Sequence, residues 1–404
     1  MKPLIFHCDC NNFYASCECL TDPSLREVPM AVAGDPENRV GIVVAKNQLA
    51  KQAGVKTTDT VWQARKKCPD IVFVPPHHRF YKEISDRVNA IYHEYTDYVE
   101  PASIDESYLD MTGAPEYYKL SAQELADRLR ARVKNEIGIT ISVGVSYNRI
   151  FAKMGSDYRK PDATTVITPE NYQNILWPLP VSDLMFVGKA TAAFLEEKGI
   201  TTIGELAQLS KDSAAALLGQ AESAIWDYAN GRDDSTVKPW GYREAAKSVS
   251  HGMTFKKNLV NVQEVRIGIS FLSDKVATTL RRNGQKGAVV SVSVKNPELK
   301  VKSRQIALDH YTWLQHEISD VSMQLMDGFW RIGENAPIRA ITIGVSRLIQ
   351  AGEEIEQVSL LDDGETEKRK KQDRIESAID ALRRKTGSKA VTLGFGKNED
   401  IGIQ

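Results

Sequence analysis

A chain of 404 residues, 42% hydrophobic and 26% charged, is long enough for several cores and has the composition of a globular protein. No stretch approaches about 18 consecutive apolar residues, which argues against a membrane span, and the N-terminus reaches Asp9 too soon for a signal peptide, so a cytoplasmic location is expected. The formal net charge of −1 conceals a polarity: −7 over residues 1–235, +8 over 236–350 and −2 over 351–404, as suits a metal-dependent catalytic part joined to a part that grips phosphate backbone.

In chain order, residues 4–9 read as a buried strand ending at Asp9, and 13–20 as the helix after it, opening on Phe13 and Tyr14. Residues 29–34 and 41–45 read as strands joined by a turn at 35–38, and 47–53 and 60–67 as short helices flanking the Gly54 break. Residues 80–98 have helical apolar spacing (Ile84, Val88, Ile91, Tyr92, Tyr95) and lead into Ser103-Ile104-Asp105-Glu106-Ser107-Tyr108-Leu109-Asp110, a turn running into a strand. A helix over 121–137 then precedes a strand over 140–145. Carboxylates brought from separate strand ends, Asp9 with Asp105 and Glu106, are what a site needs to hold two Mg²⁺ ions around a triphosphate. Asp110 points away from Asp105 along the strand and is expected to be structural.

All five cysteines lie early, and Cys8, Cys10, Cys17 and Cys19 form a C-x-C-x₆-C-x-C pattern that invites a zinc site. On a helix, however, Cys17 and Cys19 point about 200° apart and cannot converge on one tetrahedral centre. Reduced thiols packed in the interior, Cys68 included, are the expectation.

A different texture begins near Pro178. Residues 186–206 read as a helix–hairpin–helix whose turn at Gly188 and Lys189 would let backbone N–H groups approach a DNA phosphate; an ordinary helical hairpin is the alternative. Lys238-Pro239-Trp240-Gly241-Tyr242-Arg243 looks like a linker. Helix 261–283, strands 287–296 and 299–308, helix 315–327 and strand 338–346 then form an α+β module. Its Arg281, Arg282, Lys286, Lys300, Lys302 and Arg304 would rest on a duplex backbone, with a solvated strand face as the alternative that the +8 surplus disfavours.

Asp9 with Asn12-Phe13-Tyr14-Ala15-Ser16-Cys17-Glu18, and the 103–110 segment, resemble the two signature motifs of the Y-family (translesion) DNA polymerases. Val143-Gly144-Val145-Ser146-Tyr147-Asn148-Arg149-Ile150-Phe151-Ala152-Lys153, continuing to Lys160-Pro161, resembles that family's third motif. The resemblance implies a multidomain α+β right-hand polymerase. Its parts are a ferredoxin-like palm (1–10 and 76–168), small fingers (11–75), a helix-hairpin-helix thumb (169–235), a linker (236–248), an α+β little finger (249–350) and a tail (351–404). It further implies a template-directed, low-fidelity DNA polymerase for translesion synthesis, adding dNTPs to a primer 3′-hydroxyl with two Mg²⁺ per active site. Asp9 and Asp105 would bridge the ions, Glu106 would complete the one nearer the primer, and the Cys10 backbone carbonyl would be a further ligand.

The same resemblance assigns nucleotide binding to Phe13, Tyr14, Asn47, Lys51 and Lys160, with Tyr14 as the gate against a ribose 2′-hydroxyl. Ala45 and Gly54, being small, would press weakly on the nascent pair, so discrimination would be poor. Where the family commonly carries Tyr and Arg, this chain has Gln48 and Lys51; with Lys46-Asn47, the pattern resembles the SOS mutagenesis polymerase branch more than the polymerase IV branch, and the branch stays open. Gln357, Ser359, Leu360 and Leu361 resemble the peptide by which bacterial polymerases dock on the sliding clamp; a final strand packing Val358 and Leu360 is the alternative. The expected partners are primer–template DNA, dNTPs and the clamp, for a monomer without membrane attachment. A nucleotidyl cyclase would share the palm-like sheet but not need the basic rear, and a non-catalytic DNA-binding scaffold would not need Asp9, Asp105 and Glu106.

Overall fold

The computed structural model describes residues 3–35, 41–219, 224–331, 333–353, 365–387, 391 and 401–403. The clamp-peptide residues Gln357, Ser359, Leu360 and Leu361, and all but Asp35 of the turn expected over 35–38, lie outside the described residues. The chain divides into two units, Met1–Gly34 with Ile42–Arg243, and Asp35–Gly41 with Glu244–Gln404. Among the described residues no helix is long and apolar enough to cross a membrane.

In the first unit a five-stranded sheet runs in the order Val99–Pro101, Glu106–Asp110, Ile5–Cys10, Ile141–Ser146, Thr164–Val166, antiparallel except for the last pair. The two-residue alternation of a strand sorts its side chains. Phe6, Cys8, Cys10, Leu109, Ile141, Val143 and Val145 form one core with Tyr81, Ile84, Val88, Ile91 and Tyr92 of helix His78–His93 and with Leu125, Leu129 and Val133 of helix Ala122–Ile137. Helix His78–His93 stops five residues short of the expected 80–98 span, because the chain turns there into the edge strand Val99–Pro101. A Ser121–Glu124 capping box starts the second helix, and Gly138 at φ +89° ends it.

The opposite face of the sheet carries Ile5, His7, Asp9, Glu106, Tyr108 and Gly144, and helix Arg149–Tyr158 crosses it. Gly144 permits that crossing: a Cβ there would lie 1.8 Å from the Ala152 carbonyl oxygen and 2.4 Å from the Ser156 nitrogen. The helix start is pinned by Arg149, which forks onto Glu100 (2.8 and 2.9 Å) and lies over the Tyr108 ring (4.3 Å).

Also in this unit, Val43–Lys46, Met30–Ala33 and Val72–Val74 form a three-stranded sheet; the first two were expected and the third was not. Helices Gln48–Gln52 and Val61–Lys67 pack on it. Cys8, Cys10 and Cys17 are buried in the main core, Cys19 in a separate cluster with Leu25 and Met30, and Cys68 under the small sheet, so the thiols diverge as helix geometry requires. Lys189–Glu197, Ile203–Ala207, Lys211–Leu218 and Ala224–Ala229 make a helical cluster around Leu195, Ile203 and Leu206.

The second unit is a four-stranded antiparallel sheet, ordered Val301–Thr312, Gln285–Lys295, Ile338–Gln350, Ser248–Leu259, with helices Val262–Arg282 and Gln315–Phe329 sharing its core. Strand Ser248–Leu259 was not expected. Arg281 is a correction: its side chain is buried, not presented to DNA, because it ion-pairs with Glu376 and Asp380 (2.7 Å) of helix Glu365–Thr386 and donates to the Trp313 carbonyl (3.1 Å). Arg282, Lys300, Lys302 and Arg304 are exposed, and Lys286 lies over the Trp313 ring (4.9 Å).

Gly144→Ala is expected to destabilise the first unit by about 1–3 kcal/mol or more, since backbone atoms of the crossing helix cannot yield cheaply. Urea denaturation measures it; wild-type stability in the variant would show that the helix shifts without cost.

Candidate active site

Strand pairing sets the centre. Asp9 lies opposite Glu106 in the antiparallel pair, and the Cys10 N–H donates to the Asp105 carbonyl (2.9 Å), so three carboxylates meet at one end of the sheet. Ser103 shapes the preceding turn: its hydroxyl donates to Asp105 Oδ1 (2.7 Å) and accepts the Glu106 N–H (3.1 Å). On the other side of Cys10, Asn12 takes the left-handed conformation (φ +50°), tolerable for asparagine, and turns the chain into helix Phe13–Thr21.

Two lysines neutralise the carboxylates. Lys153 Nζ lies 2.7 Å from Glu106 Oε1 and 3.3 Å from Asp9 Oδ2, and Lys160 Nζ lies 2.5 Å from Asp9 Oδ2. Asp157 pairs with both (3.2 and 2.6 Å). Burial pushes the Asp9 carboxyl up to about 6, although Lys160 and Lys153 pull the other way. Glu106 is held well below the usual carboxylate range, by the facing His7 ring and by Lys153. The His7 Nε2 to Glu106 Oε2 separation of 3.6 Å exceeds a hydrogen bond, so the ammonium at 2.7 Å is the firmer partner. His7 itself is fully buried, its pKa lowered by burial, with Nδ1 2.8 Å from Ser156 Oγ on the crossing helix.

Asp9, Glu106 and Lys160 open onto a cleft of about 390 Å³, which His7, Lys153 and Asp157 do not line. Asp9, Cys10, Asp105, Glu106 and Lys160 lie on the sheet side; Asn12, Phe13 and Tyr14 enter from the helix start, and Val44, Ala45, Lys46 and Thr57 from the small sheet and its loop. Tyr14 is half-buried and stacks on Tyr81 (4.2 Å, 16°), whose hydroxyl donates to the buried Glu18 carboxylate, with His77 Nδ1 2.9 Å from the same oxygen. Phe13 is only 3% exposed and belongs mainly to the core, as the roughly 100° step between neighbours on a helix dictates.

Asn47 is a second correction. Its Oδ1 accepts the Ala50 and Met30 N–H groups (3.0 and 3.2 Å) and its Nδ2 donates to the Val28 and Leu25 carbonyls (2.7 and 3.1 Å). That amide caps helix Gln48–Gln52 and holds the small sheet, leaving nothing for a nucleotide. Lys51 is exposed and does not line the cleft, and neither does Gly54, which turns the chain at φ +83°. Lys46 lines it instead, donating to Thr57 Oγ1 (3.1 Å), its pKa lowered by burial and then by Lys51. Gly188 and Lys189 are exposed at the start of helix Lys189–Glu197.

Lys153, His7, Lys46 and Thr57 carried no assigned role in the sequence reading. Strand alternation from Asp9 points to His7, and one helical turn beyond Arg149 points to Lys153; nothing local marks Thr57. For a divalent cation the donor chemistry fits: hard carboxylate oxygens share one cleft, and a hydrogen bond with the Glu106 carboxyl adds to the upward shift at Asp9. Among the described residues no three His, Cys, Asp or Glu groups already converge on one ligand position, and Asp9 is engaged by ammonium groups that a cation would have to displace.

A family model described as the impB/mucB/samB family matches residues 8–157, and its C-terminal domain matches 246–360. The chain belongs to this family. It is 40% identical to the DNA polymerase IV of Acetivibrio thermocellus, with 98% of both chains covered, and 35% identical to that of Clostridium kluyveri, again over 98% of both. With the DNA polymerase IV 1 of Bacillus subtilis it shares 34% over 97% of this chain and 92% of the relative. A solved Y-family DNA polymerase chimera superposes with a TM-score of 0.75 at 22% identity, covering 86% of this chain and 99% of the chimera, which establishes the right-hand polymerase fold. The Y-family resemblance of the motifs is therefore borne out. The branch, left open with a lean towards the SOS mutagenesis polymerase, is that of relatives named DNA polymerase IV, so Gln48 and Lys51 do not mark the other branch.

Because the Asp9 carboxyl titrates near 6 in the fold against 3.8 in an ordinary setting, ionising it costs stability as pH rises through that window. In metal-free buffer Asp9→Asn should therefore melt above wild type at pH 8, with the gap closing towards pH 4. Equal or lower melting at pH 8 would show that the lysine contacts outweigh burial.

Proposed function

We propose that this chain is a template-directed DNA polymerase of the low-fidelity, translesion type, adding dNTPs to a primer 3′-hydroxyl in the cleft at Asp9, Asp105 and Glu106. The observation that carries it is the pairing of Asp9 with Glu106 at the mouth of that cleft, in a chain matched end to end by relatives named DNA polymerase IV. Asp9 and Asp105, with Glu106 and the Cys10 carbonyl, are the residues to hold two Mg²⁺ ions. Those ions, when bound, supply activation of the primer hydroxyl and neutralisation of the departing pyrophosphate.

The chain's own residues do the rest. Lys160, released from Asp9, is placed to meet the triphosphate, with Lys46 on the facing wall. Lys153 stays on Glu106 and keeps that carboxylate ionised and oriented. Tyr14, backed by Tyr81, presents a fixed ring against the sugar and leaves no room for a 2′-hydroxyl. The wall of Val44, Ala45 and Thr57 offers few selective contacts to a base pair, which is the physical basis proposed for tolerance of mismatched or damaged bases. Gly188 and Lys189 on one unit, and Arg282, Lys286, Lys300, Lys302 and Arg304 on the other, are the proposed backbone contacts. Docking on a sliding clamp through Gln357, Ser359, Leu360 and Leu361 belongs to the proposal on its sequence pattern, and loss of that peptide should spare unassisted extension.

Primer extension with Mg²⁺ on a short template tests the reading. Asp105→Ala and Glu106→Ala should each lower the rate by more than about 10²–10³-fold, the scale of losing one electrostatic stabiliser. No extension by the wild type under these conditions would remove it. Tyr14→Ala should raise ribonucleotide relative to deoxynucleotide insertion by about 10–100-fold, the range a shape-based pocket commands. Unchanged ribonucleotide rejection would place the gate elsewhere.

A further inference from the structure

Beside the cleft, the small sheet and its helices carry a surface that the chemistry above does not use. Trp62, on helix Val61–Lys67, is 70% exposed, while Val61 and Ala64 beneath it are buried. Lys66, one turn on, sets its ammonium 5.6 Å from the Trp62 ring centroid. The ring thus has a cation over it and most of its apolar surface in water. Residues 42–75 hold six Lys and Arg (Lys46, Lys51, Lys56, Arg65, Lys66, Lys67) against two acidic residues, Asp59 and Asp70, although the first 235 residues together are acidic. Asp59 is already taken by Lys67 (2.6 Å), so the local surplus is positive.

The surface is tied directly to the cleft wall. The loop that carries Thr57 into the cleft is zipped to the Val43–Lys46 strand: the Thr58 N–H donates to the Val43 carbonyl, the Val43 N–H to the Asp59 carbonyl, and Thr60 bridges to Ile42. Trp62 follows two residues later.

A planar apolar ring beside basic groups is what single-stranded nucleic acid binds without regard to sequence, the bases stacking and the phosphates meeting the cations. We propose that Trp62, with Lys66, is a stacking platform for an unpaired base of the single-stranded template outside the cleft. This rests on the polymerase reading. It commits the surface to single-stranded nucleic acid rather than protein, because an apolar docking site would not need the positive surplus around a single ring.

The test compares two primer–templates of the same duplex, one with a single-nucleotide template overhang and one with a long single-stranded overhang, by fluorescence anisotropy with the full chain at fixed salt. The wild type should bind the long overhang more tightly. Trp62→Ala should lose about tenfold on it, the scale of one stacked base, and nothing on the short one. Trp62→Phe should restore most of the loss, and Lys66→Ala should flatten the salt dependence. Single-nucleotide insertion on the short overhang should match wild type in all variants. Equal loss on both substrates, or no loss on either, would overturn the platform; the second result would suit a protein-binding surface. Failure of the wild type to insert on either substrate would instead strike the polymerase reading, so the two failures are distinct.

Discussion

Two carboxylates held side by side by strand pairing must be balanced by positive charge, and the architecture of the first unit answers to that constraint. Asp9 and Glu106 have no freedom to separate, because each lies in a strand whose neighbours are paired on both sides. Charge is delivered by one helix. Helix Arg149–Tyr158 reaches across the sheet only because Gly144 has no side chain, and its position brings Lys153 to Glu106 and Ser156 to His7. The segment that follows brings Lys160 to Asp9. A cluster so arranged resists ionising fully unless a stronger cation replaces an ammonium.

The same economy of shape runs through the cleft's other walls. Tyr14 is held by packing across two helices, with Tyr81 of helix His78–His93 stacked on it and Glu18 of its own helix accepting the Tyr81 hydroxyl. A ring so backed resists displacement by an atom pressing on its face. The facing wall is the reverse, with Val44, Ala45 and Thr57 small and close to solvent. A ring backed by packing and a wall of small, exposed side chains thus come from different elements of one cleft.

In the second unit the charged residues divide by burial. Arg281 is consumed in holding helix Glu365–Thr386, and Arg383 of that helix returns to Asp274 (3.0 Å), so the C-terminal helix is fastened by paired charges. Removing one member of such a buried set would cost about 3–5 kcal/mol, whereas exposed Lys300, Lys302 and Arg304 leave stability almost untouched. A basic count along a sequence cannot separate these two uses of arginine.

Period-two and period-3.6 hydrophobic patterns were legible wherever one element buries a full face: the Ile5–Cys10 and Ile141–Ser146 strands, helix Ala122–Ile137, and the long strands and helices of the second unit. That Asp9, Asp105, Glu106, Tyr14 and Lys160 belong together was legible because their motifs are contiguous, and the structure brings all five to one cleft. Strands Val72–Val74 and Ser248–Leu259 were not: the first is three residues long, and the second is an edge strand with little of its length buried, so neither leaves a sustained pattern. Asn47 and Arg281 carry the right groups for a ligand, and only packing revealed that both are already spent on the fold. Local patterning determined the elements and singled out the carboxylates that line the cleft, since both follow from residue order along the chain. Which lysines meet those carboxylates, which polar groups stay open to a ligand and which face Trp62 presents were decided by tertiary structure, because each depends on distances between residues far apart in sequence.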